Sequence, residues 1–224
     1  RTEVGLRRRR GLTTITDVTL PVRRVQAAIL ASGPVRDRLG YCQLKLQNLG
    51  HDEGGGDHEV APLATAAEAN RILGEIGWRA MPETVDWRRV SKAFVWSFLL
   101  ALSPLLIPLA AVQLAVAPLL GLAGLLVPLA LWLARHLEWT RLGYRLDGDR
   151  LLIRAGWWSR RTTILPLAKI QSVDLRESFI SRLFGTASLH FGVAGATMFA
   201  GAIIPAIPRR EARQLRGRLL GLRP

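Results

Sequence analysis

Between Lys92 and Arg135 the chain carries no charged residue, and that interval limits its possible folds more than any other feature. A hydrocarbon core of about 30 Å takes roughly 20 apolar residues in a helix, and the block from Ala93 to Ala134 holds about twice that number. It therefore reads as two spans, at about Phe94–Val112 and Pro118–Leu133, joined by a tight turn over Gln113–Ala117. Pro104, Pro108, Pro118 and Pro128 fit better in membrane helices than in soluble ones, because neighbouring helices can re-satisfy the carbonyls that proline frees. The competing reading, one long buried core helix, is the weaker one.

The flanks give the block an orientation. Arg88, Arg89 and Lys92 precede it and Arg135 and Arg141 follow it, with Trp96, Trp132 and Trp139 near its ends, where indoles prefer the boundary between lipid and water. A hairpin returns both ends to one side, and the positive-inside rule makes that side cytoplasmic. Only Ser97, Ser103 and Gln113 interrupt the apolar run, whereas a pump or transporter needs ionisable groups at membrane depth, so the hairpin reads as an anchor.

The net charge of +14, from 31 Lys+Arg against 17 Asp+Glu, sits oddly beside a mean hydropathy of +0.19. Nearly all of it is arginine, with lysine only at positions 45, 92 and 169, a bias that genomic base composition also produces. A positive field favours nucleic acid or anionic lipid. The arginines gather at the membrane flanks and on the last helix, which disfavours nucleic acid. The lone cysteine, Cys42, excludes an intramolecular disulfide framework and a cysteine-cluster metal site.

The two sides of the block resemble each other. Leu20–Gly50 aligns without a gap on Leu165–Gly195, pairing Pro21 with Pro166, Arg24 with Lys169, Gln26 with Gln171, Leu30 with Leu175 and Gly40 with Gly185. The offset extends upstream to Gly11 and Gly156 and, after a slip of two residues, downstream to Pro62 and Pro205. Such self-similarity marks a duplicated unit. In the second copy, strands are expected at 144–146, 151–154, 161–165, 170–175, 188–193 and 198–204, a helical turn at 179–184 and an amphipathic helix at 209–220. The first copy ends on a helix at 65–76, while its early strands are incomplete, so an N-terminally truncated chain is expected, with domains at 1–78 and 141–222, a basic linker at 79–92 and the hairpin at 93–134.

The run from Tyr144 to Val173, followed by Ser181-Arg182-Leu183-Phe184-Gly185, resembles the bacterial pleckstrin-homology-like domain of the YdbS/YdbT membrane proteins. The second copy matches over about 141–220 and the first from Arg9 onward. The resemblance implies a mainly β fold with α: two PH-like sandwiches or barrels, each capped by a C-terminal helix, interleaved with a transmembrane hairpin. It implies no enzymatic activity and no cofactor.

Trp157-Trp158-Ser159-Arg160-Arg161 is the one candidate binding motif. Two indoles at a hairpin tip are costly to expose, and Arg160 and Arg161 beside them suit lipid phosphate. The tip is expected to meet the headgroup layer or, on the other reading, to pack within the protein. His51-Asp52-Glu53 and Asp57-His58 flank a triple glycine in what reads as a solvated loop over 51–60, and no catalytic triad, phosphate loop or metal motif is present in the sequence. The expectation is a multi-pass protein of a bacterial inner membrane with cytoplasmic PH-like domains, a non-catalytic scaffold for anionic lipid or another membrane protein. A fragment of a membrane enzyme or transporter is the alternative.

Overall fold

The computed structural model describes residues 6–10, 16–20, 22–48, 57–116, 124, 126–193 and 202–221. β1 (Leu6–Arg10) and β2 (Thr16–Leu20) pair antiparallel. Then follow β3 (Val25–Ser32), α1 (Pro34–Arg38), β4 (Tyr41–Asn48), β5 (Asp57–Thr65) and α2 (Ala66–Glu75). A short β6 (Arg88–Arg89) leads into α3 (Ala93–Val116), and α4 (Leu126–Arg141) returns to β7 (Gly143–Asp147), β8 (Arg150–Ala155) and β9 (Arg160–Pro166). The chain closes with β10 (Ile170–Arg176), α5 (Phe179–Leu183), β11 (Thr186–Val193), β12 (Ala202–Pro208) and α6 (Arg209–Gly221). The order strand, short helix, strand, strand, helix thus occurs in both copies. Gly40 and Gly185, aligned in sequence, both end the short helix with positive φ, at 73° and 63°, where a side chain would be strained.

The copies do not form separate sheets. A seven-stranded antiparallel sheet runs β5-β4-β3-β9-β8-β7-β6, joining three strands of the first copy to three of the second through the ladder Ala28↔Ile164 to Ser32↔Arg160. β10-β11-β12 form a second sheet. Stepping back from Ala28 and forward from Ile164 by equal numbers of residues reaches Arg23 and Lys169, and there the Lys169 ammonium donates to the Arg23 carbonyl at 3.0 Å. The aligned 3-10 turns Val22–Arg24 and Leu167–Lys169 therefore meet where the shared ladder ends.

Each face of this sheet covers its own core. Leu152 and Ile164 join Val25, Ala28, Leu44, Leu46 and Leu73 under α2. Leu151, Ile153 and Leu165 point the other way, to Val173, Leu189, Phe191 and α6. That is why 151–153 is a continuous apolar run: a strand buried on both faces loses the alternation of a half-exposed one. The helices are set locally. The Thr65 hydroxyl accepts from the Glu68 N–H while the Glu68 carboxylate accepts from the Thr65 N–H at 2.8 Å, a capping box that starts α2.

The membrane block departs from expectation. α3 continues through Gln113–Val116, so those residues are helix and not a turn; Ala117 lies outside the described residues. Neither proline breaks it. Pro104 cannot donate to the Leu100 carbonyl, and the Ser103 hydroxyl donates there instead, at 2.8 Å. Among the described residues α3 alone is long and apolar enough to cross a bilayer, with a mean hydropathy of 2.2 over a window of which none is buried within the chain. The second expected span is described at Gly124 and from Leu126 onward, and its helix runs past Leu133 to Arg141, where it leads directly into β7. The two helices pack together, with the Gln113 side-chain amide of α3 lying against Gly124. Asp57–Val60, expected as loop, belong to β5, since they pair with β4.

Candidate membrane-facing surface

The antiparallel ladders define one common end of the seven-stranded sheet. Arg89 pairs with Gly143, Gly143 with Arg154, Ala155 with Arg161, Arg160 with Ser32, and Tyr41 with Thr65. α3 departs from this end just after Arg89, and α4 arrives just before Gly143. The hairpin between β8 and β9 turns here as well, so Trp157 and Trp158 project beside the roots of the two apolar helices.

The helix roots are tied to the sheet by side chains already named in the sequence. Trp139 donates its indole N–H to the Val90 carbonyl at 2.9 Å, and the Lys92 ammonium lies 5.9 Å from the centre of the Trp139 ring. Arg135 sits over the rings of Phe94 and Phe98, at 4.0 and 4.3 Å, and bonds Glu138 at 2.6 Å. Trp132 stacks on His136, which in turn faces Trp139. These cation–aromatic contacts let a guanidinium stay at an apolar boundary without losing its electrostatic partner. The Ser91 hydroxyl accepts from the Ala93 N–H, and the Ser91 N–H donates to the Ala206 carbonyl at 2.9 Å, linking the start of α3 to β12. Arg154 donates to the Arg141 carbonyl at 2.9 Å and lies over Trp87, locking the exit of α4 to β8.

At the tip, Trp157 and Trp158 meet edge to face at 5.6 Å and remain 42% and 64% exposed. Gly156 holds φ at 81°, and a Cβ there would fall 2.0 Å from the Ser159 carbonyl oxygen, so the turn that presents the indoles requires glycine. Arg161 is exposed. Arg160 is bound to Asp37 of α1, a partner that sequence reasoning could not reach because it lies in the other copy. Trp96 projects from α3, half exposed. Arg88 is engaged by Glu211 of α6, whose carboxylate also accepts the Tyr144 hydroxyl; burial first, and Glu211 second, push that phenol well above its ordinary range.

Around this last group lies a cleft of about 290 Å³ between β7 and α6. Of its three arginines, Arg88 and Arg145 pair with Glu211 and Asp86, and Arg218 lines it as well. His51–Glu53 fall outside the described residues, as do residues 11–14. His190, on β11, is held below its ordinary pKa by burial and by Arg176.

The family described as bacterial PH domain matches residues 1–78 and 98–223. The chain is similar to the transmembrane protein YdbT of Bacillus subtilis (strain 168), with 26% identity over 90 residues, covering 39% of this chain and 18% of that protein. No solved structure gives a significant match.

Proposed function

We propose that this chain, which belongs to the bacterial PH domain family, is a membrane-anchored, non-catalytic interaction module whose PH-like sheets stand on the cytoplasmic face of a bacterial inner membrane. The observation that carries the reading is the coincidence, at one end of the sheet, of both apolar helix roots, the basic flank and the exposed Trp157–Trp158 pair. α3 exposes an uncharged surface along nearly its whole length, which water would penalise at about 25 cal/mol per Å² and lipid would not. α3 and α4 form the anchor as a two-span hairpin. Trp157 and Trp158 enter the headgroup layer, with Arg161 on lipid phosphate and Arg160 shared between phosphate and Asp37. The relative YdbT is named a transmembrane protein, in keeping with this placement.

The test uses the whole chain expressed in bacteria. It is expected to stay with membranes after alkaline carbonate washing, and single cysteines at Glu75 and Arg218, in a Cys42→Ser background, are expected to react with an impermeant maleimide only after the cells are opened. Release into the wash would refute the anchor, and labelling of intact cells would refute the cytoplasmic placement.

A further inference from the structure

The Trp tip is not alone at the membrane end of the sheet. α1 lies beside it, held by the Asp37–Arg160 ion pair, and exposes Val35 and Leu39 at 69% and 66%. α5 lies against α3 and exposes Phe179 and Leu183 at 78% and 69%. These side chains sit on or directly after helices of a single turn, α5 capped by the Ser178 hydroxyl and α1 started by Pro34, each followed by a left-handed glycine that fixes its direction, so their exposure is not the accident of a loose loop. α1 and α5 are the same element of the two copies, aligned in sequence, and α1 follows β3, whose end at Ser32 lies at this level. Exposed arginines accompany them: Arg36 and Arg38 on α1, Arg182 on α5.

Isolated exposed apolar side chains are ordinary, but three groups at one level beside an apolar helix form a surface. We infer that α1, the Trp157–Trp158 tip and α5 are three feet that enter the same bilayer interface, so that the short helix of each PH-like copy is a lipid-contacting element. The occupant is the lipid surface and not a protein groove, because α5 packs on α3, α1 and the Trp tip lie at the end of the sheet from which α3 leaves, and arginines stand among the exposed apolar side chains, the pattern of interfacial segments on anionic lipid. With three feet and two helix roots, the sheet is fixed upright and cannot rock about the hairpin. The inference rests on the anchor reading above and extends it from the tip to both short helices.

The experiment places an environment-sensitive fluorophore on single cysteines at Val35, Leu39, Phe179 or Leu183 in the Cys42→Ser full chain, reconstituted in phosphatidylcholine vesicles with a quarter phosphatidylglycerol. Lipids spin-labelled high on the acyl chain act as quenchers. Leu105 on α3 serves as the buried-in-lipid control. Leu220 is the aqueous control, since it is exposed but lies about 16 Å along α6 from the helix start near Gly185. The four foot labels are expected to be quenched about twofold or more, and the Leu220 label not at all. If the feet behave like Leu220 while Leu105 is quenched, the inference fails and the anchor stands. If Leu105 is not quenched either, the anchor reading fails with it. Foot labels that are shielded from water yet unquenched by spin-labelled lipid would mean a protein covers them, which also overturns the inference.

Discussion

Ile164 belongs by sequence to the second copy, yet its side chain is fully buried in the core of the first, across from Ala28 and under α2. Replacing it with alanine removes three carbons. At about 0.8 kcal/mol per buried methylene plus a cavity term, the loss is about 2–5 kcal/mol. Because the site lies on one face of the shared sheet, the loosening is expected in first-copy elements. Amide hydrogen exchange of the reconstituted chain reads this directly: peptides covering β4 and α2 are expected to exchange about thirtyfold faster or more, if they open locally. Leu165→Ala, one residue along and on the opposite face, is expected to give the complementary pattern, with faster exchange in β11 and α6. If the two variants loosen the same peptides equally, or Ile164→Ala affects only the second copy, the assignment of one core to each face is wrong. An Ile203→Ala variant, at an exposed position of β12, should change little and controls for substitution as such.

Arg150 is buried, with its guanidinium on the Asp147 carboxylate at 2.7 and 2.9 Å and on the carbonyls of Arg79 and Ala80. Arg150→Met strands those acceptors and is expected to cost about 3–5 kcal/mol in a denaturant titration, with Lys a poor rescue because a single ammonium cannot span the same fork. Thr65→Ala removes the α2 cap and should cost about 1 kcal/mol by the same measurement. The Thr65 N–H, then the Thr65 hydroxyl, hold the Glu68 carboxyl below its ordinary pKa. Its contribution is therefore complete above the ordinary carboxylate range and disappears as pH falls through the depressed value, so a carbon-detected NMR titration of Glu68 should show a midpoint below that of a free glutamate; an ordinary midpoint would refute the capping box. Burial, with Glu68 nearby, raises the Cys42 thiol pKa, so its alkylation at neutral pH should be slower than in the denatured chain.

How the sequence maps onto this architecture differs from element to element. The strands of the second copy and its closing helix were legible because alternation and helical spacing report burial on one side of one element. Leu151-Leu152-Ile153 read as a short strand, but neither its burial on both faces nor the cover of the second face by the first copy was legible there. Asp37 carried no sign of its pairing with Arg160, nor Val35 and Leu39 of their exposure. Each depends on which strand lies beside β9, and strand neighbours are chosen by contacts far apart in the chain.

The amino-acid sequence by itself determined the uncharged block, its basic and aromatic flanks, the internal likeness of the two copies and the Trp157–Trp158 hairpin, because hydropathy, charge and turn chemistry act within a few residues. Only the tertiary structure decided that the copies share a sheet, that α3 runs unbroken through Gln113, and that the tip and α1 lie at the sheet end from which α3 leaves while α5 packs on α3. Hydrogen bonding between edge strands is indifferent to which copy supplies them. The choice falls to packing on both faces at once, and that is a property of the assembled chain.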